Sequence, residues 1–167
     1  MSNSGRIRNL ADARREITRL KQELDDTHRR YSSALMNMPI DFQGDAHKYM
    51  CIRLSGYVEQ LFHASITGHL KSNHDQSTAS FALSHFKYVP NMTANNLEQL
   101  IARFKNGWQT SLESLLSNNN NRDNLNKLLD IRNKTAHGEG YGGSTPQVNT
   151  YKALVDDLHN WVMSNIV

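Results

Sequence analysis

Leu10, Ala13, Ile17, Leu20, Leu24 and Tyr31 recur at helical steps along the first stretch of the chain, with arginine, lysine, glutamate and aspartate filling the other faces. Steps of about three and four return a side chain to the same side of a helix, so residues 6 to 37 read as one long amphipathic helix. Its alternate heptad positions hold Ile7, Arg14, Lys21, His28 and Leu35. A free-standing dimeric coiled coil wants both seam positions apolar, and one side here is largely polar, so that assembly is poorly encoded. Pro39 lacks the N–H that a helix interior needs and ends the segment.

A second pattern runs from about 45 to 70 through Met50, Leu54, Tyr57, Val58, Leu61, Phe62 and Ile66, a stripe wide enough for a central core helix. A shorter one, about 77 to 88, carries Phe81, Ala82 and Phe86 ahead of Pro90. Thr93 suits the N-cap of a helix bearing Leu97, Leu100, Ile101 and Phe104, with Gly107 as a break or cap. Trp108, Leu112, Leu115 and Leu116 follow, and the polar run Asn118 to Asn121 reads as a loop. From about 122, Leu125, Leu128 and Leu129 mark a helix that reaches His137 and stops at Gly138, with Gly140, Gly142 and Gly143 extending the loop. The last helix, about 150 to 165, buries Leu154, Val155, Leu158, Trp161 and Val162. Alternation of apolar and polar residues is scarce, so no strand is required. The expected fold is an all-α, up-and-down helical bundle, with a long N-terminal helix in residues 1–40 and the bundle proper in residues 41–167.

The length of 167 residues fits one core with at most one appendage. Nineteen Lys and Arg against sixteen Asp and Glu leave a formal charge of +3, too weak a field for indiscriminate coating of nucleic acid, so any RNA contact is local. Cys51 is the only cysteine, which excludes an internal disulfide and a thiolate zinc cage and fits a reducing compartment. The charged first thirty residues carry no signal-like apolar region and no stretch suits a membrane span, so a soluble cytoplasmic protein without membrane attachment is expected. Two glycosylation sequons, at Asn91 and Asn133, have no expected meaning in that setting.

The segment Asp130-Ile131-Arg132-Asn133-Lys134-Thr135-Ala136-His137-Gly138 carries the candidate chemistry. Asn133 and His137 share a helix face, so the amide can orient the imidazole. Arg132 continues the stripe of Leu125, Leu128 and Leu129, and an inward guanidinium needs a carboxylate, a ring of carbonyls or a phosphate. Five residues turn a regular helix by about 140°, so Arg132 and His137 converge only where the helix loosens near its end or where two copies meet across a dimer axis. A permanently charged Arg beside an imidazole suits phosphate stabilisation and proton transfer.

Arg132-Asn133-Lys134-Thr135-Ala136-His137-Gly138, ending the penultimate helix ahead of a final amphipathic one, resembles the Arg-x4-6-His signature of HEPN domains, of the RiboL-PSP-HEPN and related MAE-type groups. The resemblance covers residues 45 to 167 and leaves the N-terminal helix outside. It implies a small helical bundle, usually dimeric, and in many members a metal-independent endoribonuclease whose two signature helices face each other across a composite cleft. Arg132 would then stabilise the scissile phosphate, His137 would move protons and Asn133 would support the site. The ribose 2′-hydroxyl would attack and leave a cyclic phosphate, with no cofactor. Ser55-Gly56-Tyr57-Val58-Glu59 is similar to the family's second-helix segment bearing an acidic residue, and Glu59 would pair with Arg132 or sit in the cleft. The resemblance further implies RNA as substrate, a homodimer, a toxin or phage-defence role and a cognate antitoxin or sensor protein.

Each of these residues also has an ordinary structural reading. Arg132 suits an internal ion pair with Glu59, Asp130 or Glu113, and His137 suits a helix end where it bonds terminal carbonyls. Lys134, the remaining candidate for substrate contact, reads more simply as a solvated cation. The alternative function is therefore a non-catalytic helical module that binds a partner protein, or RNA without cutting it. His47 and Cys51 share a face, but no further ligands stand at a recognisable spacing beside His63, His69, His74 and His85, so no metal is expected. The adjacent aspartates at 25 to 26 and 156 to 157 read as solvated surface. Phe81, Phe86, Phe104, Trp108 and Trp161 read as core, and the glycines after His137 match no nucleotide-binding pattern.

Overall fold

The computed structural model describes residues 7–86, 92–138 and 143–167, and these form helices with no strand among them. In chain order they are α1 (Leu10–Leu35), α2 (Ile40–Asn73), α3 (Gln76–Phe86), α4 (Ala94–Ile101), α5 (Asn106–Ser117), α6 (Asn121–Ala136) and α7 (Thr145–Asn165). The all-α bundle read from the periodicity is the fold observed. Residues 87 and 88, the Phe86 side chain, Asn91 and Gly140 and Gly142 fall outside the described residues.

Asn9 opens α1 by accepting the Asp12 N–H at 2.9 Å, and the short link through Pro39 folds α2 back along it. Proline is tolerated there because it stands at the start of α2, where no helical N–H is needed. The length of α2 makes it the central element, touching α1, α3, α6 and α7. Met50, Cys51, Leu54, Val58, Leu61 and Phe62 are wholly buried along it, each large side chain contributing roughly 1.5–3 kcal/mol of hydrophobic stabilisation. Ile17 and Leu24 from α1, Leu125 and Leu128 from α6, and Val155 and Leu158 from α7 close the same core.

The first helix folds back on the bundle rather than reaching away from it. Gly68 makes this approach possible: a Cβ there would lie 2.5 Å from the Ala13 Cβ and 3.1 Å from the Asn9 carbonyl oxygen. The polar heptad sites that spoil a coiled coil turn out to face α7. Arg14 donates to the carbonyl oxygens of Met163 and Val167, and Lys21 meets Asp156 at 3.1 Å.

Several local expectations need correction. The break between α4 and α5 falls at 102–105, and Gly107 sits inside the first turn of α5. Asn121 is not loop but the first residue of α6, buried, with its Nδ2 donating to the Leu115 carbonyl at 3.1 Å. The last helix begins at Thr145 rather than about 150, because Ser144 and Gln147 form a capping box and Pro146 sits in the first turn. Phe81 is 70% exposed, so it belongs to the surface, and Phe104 and Trp108 are half-buried edges of the core.

Candidate functional site

The C-terminal turn of α6 carries the signature residues. Leu125, Leu128 and Leu129 anchor the helix in the core, and Arg132 follows on the same stripe with its side chain 34% exposed. Its guanidinium grips Glu59 of α2 in two-point fashion, Nη1 to Oε1 at 2.7 Å and Nη2 to Oε2 at 3.1 Å. Of five guanidinium donors, this leaves three outside the pair. Asp130, a competing candidate partner, instead pairs with Lys134 at 2.8 Å, and Glu113 accepts from Gln109. Lys134 is thus an exposed cation bound to its own helix.

The helix tightens as it ends. The His137 N–H is shared between the Asn133 and Lys134 carbonyls at 3.1 Å each, and the Gly138 N–H reaches the Thr135 carbonyl at 3.1 Å. Gly138 adopts φ of 76°, the left-handed cap that glycine tolerates best. His137 is the C-cap with φ −92° and ψ 7°, and its side chain is exposed. Asn133 is half-buried, and among the described residues no hydrogen bond joins its side chain, or that of Arg132, to the His137 ring. The structure therefore brings Arg132 and Glu59 together and leaves His137 open to solvent at the helix end.

A second polar cluster escaped the sequence reading. Lys21 and Asp25 of α1 meet Lys152 and Asp156 of α7 in an alternating ring, with contacts of 2.7 Å (Lys21 to Asp25), 3.1 Å (Lys21 to Asp156), 2.9 Å (Lys152 to Asp25) and 2.7 Å (Lys152 to Asp156). Asp25 and Asp156 keep side chains 40% and 38% exposed but are paired rather than merely solvated. Burial works to raise the Asp25 carboxyl, but the two ammoniums outweigh it and hold it below the usual range. The i,i+4 spacing of Lys21 with Asp25 and of Lys152 with Asp156 was the available signal.

Beside the ring, the Tyr57 hydroxyl lies 2.7 Å from His159 Nδ1, and the Tyr31 hydroxyl lies 2.7 Å from His47 Nδ1. Burial pushes the Tyr31 phenol up to about 12 and lowers the His47 and His159 imidazoles. His47 is thus committed to a tyrosine, and among the described residues no group of three or more His, Cys, Asp or Glu could hold a metal. A shallow groove of about 520 Å³ between α5 and α7 is lined by Ser111, Ser114, Asn118, Asp157 and Asn160 and includes none of the signature residues. No described helix is long and apolar enough to cross a membrane.

Comparison with known proteins bears on this arrangement. The family model for RiboL-PSP-HEPN domains matches residues 8–164, so the likeness reaches further toward the N-terminus than residue 45 and takes in α1. Neither the curated proteins nor the solved structures give a significant match.

Proposed function

The chain belongs to the RiboL-PSP-HEPN family, and from that premise we propose that it is a metal-independent endoribonuclease acting as a homodimer. The observation that carries this reading is the presence, toward the tightened end of α6, of both an accessible, pre-oriented guanidinium and a solvent-exposed imidazole. Glu59 fixes the plane of Arg132, leaving donors for a phosphate oxygen. His137 takes the proton of a ribose 2′-hydroxyl as the 2′-oxygen bonds to phosphorus. The bond from phosphorus to the 5′-oxygen breaks, that oxygen receives a proton, and a 2′,3′-cyclic phosphate remains. Asn133 supports the helix end through its carbonyl, and Lys134 adds positive charge beside the site.

Two helix ends meeting across a dimer axis bring the Arg132 of one copy toward the His137 of the other. An exposed apolar line on α2 supports such an assembly: Phe42, Tyr49 and Ile52 are 61%, 53% and 38% exposed, and Gly56 and Glu59 continue the same face. A toxin or phage-defence role in the cytoplasm, restrained by an antitoxin or sensor, accords with the family.

The test is cleavage of RNA by purified protein. His137→Ala is expected to reduce the rate by about 10² to 10⁴, with a cyclic phosphate product in the wild type and no effect of chelator. Cleavage that survives in His137→Ala, or that chelator abolishes, overturns the reading. A second reading, a non-catalytic module binding a partner protein, is favoured by the Glu59–Arg132 pair itself, which balances the charge of the guanidinium without any ligand.

A further inference from the structure

Toward the C-terminal end of α2, beyond Glu59, three rings and a cation gather around the turn between α4 and α5. His69 stands edge-on to Trp108 at 4.9 Å between centroids and to Phe104 at 5.8 Å, and Phe104 lies tilted against Trp108 at 6.2 Å. The Lys105 ammonium sits 5.1 Å above the centre of the Trp108 ring. Lys105 is exposed, and an exposed lysine over an indole marks a ring face that the core does not cover. All three rings are half-buried, in contrast to Trp161, which is 6% exposed beside Phe62.

The cations at this corner stand outside any ion pair among the described residues, as Arg30, Arg53 and Lys127 do elsewhere. Arg15, Arg19, Lys48, Arg122 and Lys152 are all engaged in ion pairs, whereas Arg103 and Lys105 make none among the described residues. An indole face with two cations outside any ion pair on its flanking turn offers a stacking platform plus phosphate neutralisation. Those are the two elements that hold single-stranded nucleic acid without reading its sequence.

We infer that the Trp108 face, flanked by Lys105 and Arg103, is a binding site for an unpaired base of single-stranded RNA. Lys105 swings from the indole to an adjacent phosphate as the base stacks in its place. Glu59 and His69 lie ten residues apart on α2, about 15 Å along the helix axis, a span that a few nucleotides of extended chain cover. The site therefore holds the strand at a fixed remove from Arg132 and favours unpaired over duplex substrate. This inference rests on the reading of RNA as the substrate.

The test uses full-length His137→Ala, so that the probe is not consumed, titrated with a short single-stranded oligoadenylate. Tryptophan fluorescence is expected to be quenched, and the quench to vanish when Trp108→Phe leaves Trp161 as the only indole. Lys105→Glu, a surface change that spares the fold, is expected to weaken binding about fivefold or more, and duplex RNA of equal length is expected to give no quench. A quench that persists in the Trp108→Phe protein, or equal affinity for the Lys105→Glu protein, overturns the inference even if the wild type cleaves RNA. A Trp108-dependent quench in a protein whose wild type never cleaves RNA upholds the site and overturns the nuclease reading instead.

Discussion

Arg132 on α6 and Glu59 on α2, 73 positions apart in the chain, hold each other through two parallel contacts while each remains about one-third exposed. That exposure decides what the pair is worth. A sealed ion pair that loses one partner costs about 3–5 kcal/mol, whereas a solvent-screened one contributes roughly 0–1 kcal/mol. Arg132→Ala is therefore expected to lower stability by about 1 kcal/mol in urea melts while eliminating RNA cleavage. Glu59→Gln is expected to keep the fold and slow cleavage less, because the guanidinium survives but loses its orientation. A loss above about 3 kcal/mol in Arg132→Ala, with RNA left intact by the wild type, identifies the pair as a structural strut.

Acid is expected to loosen the bundle well before carboxylates titrate. His28, His47, His63, His69 and His159 all lie below the ordinary imidazole value, with burial the first cause in each. Nearby cations add to this at His28 (Lys152), His63 (Lys71), His69 (Lys105) and His159 (Lys21). The fold prefers these rings neutral, and the unfolded chain takes up protons at about pH 6.5. Stability is thus fully present above about pH 6.5 and is lost as pH falls through the lowered native values. Melting temperatures measured from about pH 7.5 down to about pH 5.5 should decline, and His159→Gln should flatten that slope. Asp12, Asp25 and Asp75, held low, contribute a separate loss confined to pH below about 3.8.

Gly68→Ala should pry α1 from α2. The added methyl would meet the Ala13 Cβ at 2.5 Å and the Asn9 carbonyl oxygen at 3.1 Å, and neither is the end of a flexible chain. Overpacking of this kind costs about 1–3 kcal/mol. Differential scanning calorimetry should show the drop in Tm, and pairing the change with Ala13→Gly should restore most of it.

The exposed line of Phe42, Tyr49 and Ile52 tests the proposed dimer directly. Phe42→Asp combined with Ile52→Asp should leave the monomer's helicity unchanged, since both side chains already face water, while light scattering reports half the wild-type mass. Cleavage should fall with the mass, because each Arg132 then lacks a facing His137. An unchanged mass would move the interface elsewhere.

The helical architecture was legible because core positions repeat at helix period over long stretches without breakers. Leu54, Leu61, Leu125, Leu128, Leu154 and Leu158, all read as apolar stripe, are all buried. The terminal signature was legible as a contiguous string whose trailing Gly138 takes the left-handed cap. Pairings across helices were harder. Glu59 was one of three carboxylates available to Arg132, and only the packing of α2 on α6 selects it. Lys21 with Asp156 and Lys152 with Asp25 depend on how α1 and α7 lie together, which no single helix encodes. Phe81 misled because aromatic character was equated with burial, although its helix packs only a short face onto α2. The Ser144 to Gln147 capping box stood in the sequence and would have placed the start of α7 correctly.

The alternating ring of Lys21, Asp25, Lys152 and Asp156 has a consequence for biosynthesis. Its halves are separated by more than a hundred residues of chain, so it stays open until α7 has been synthesised. The hairpin of α1 and α2 can form early, but the clasp over its flank shuts only once translation has passed the signature segment.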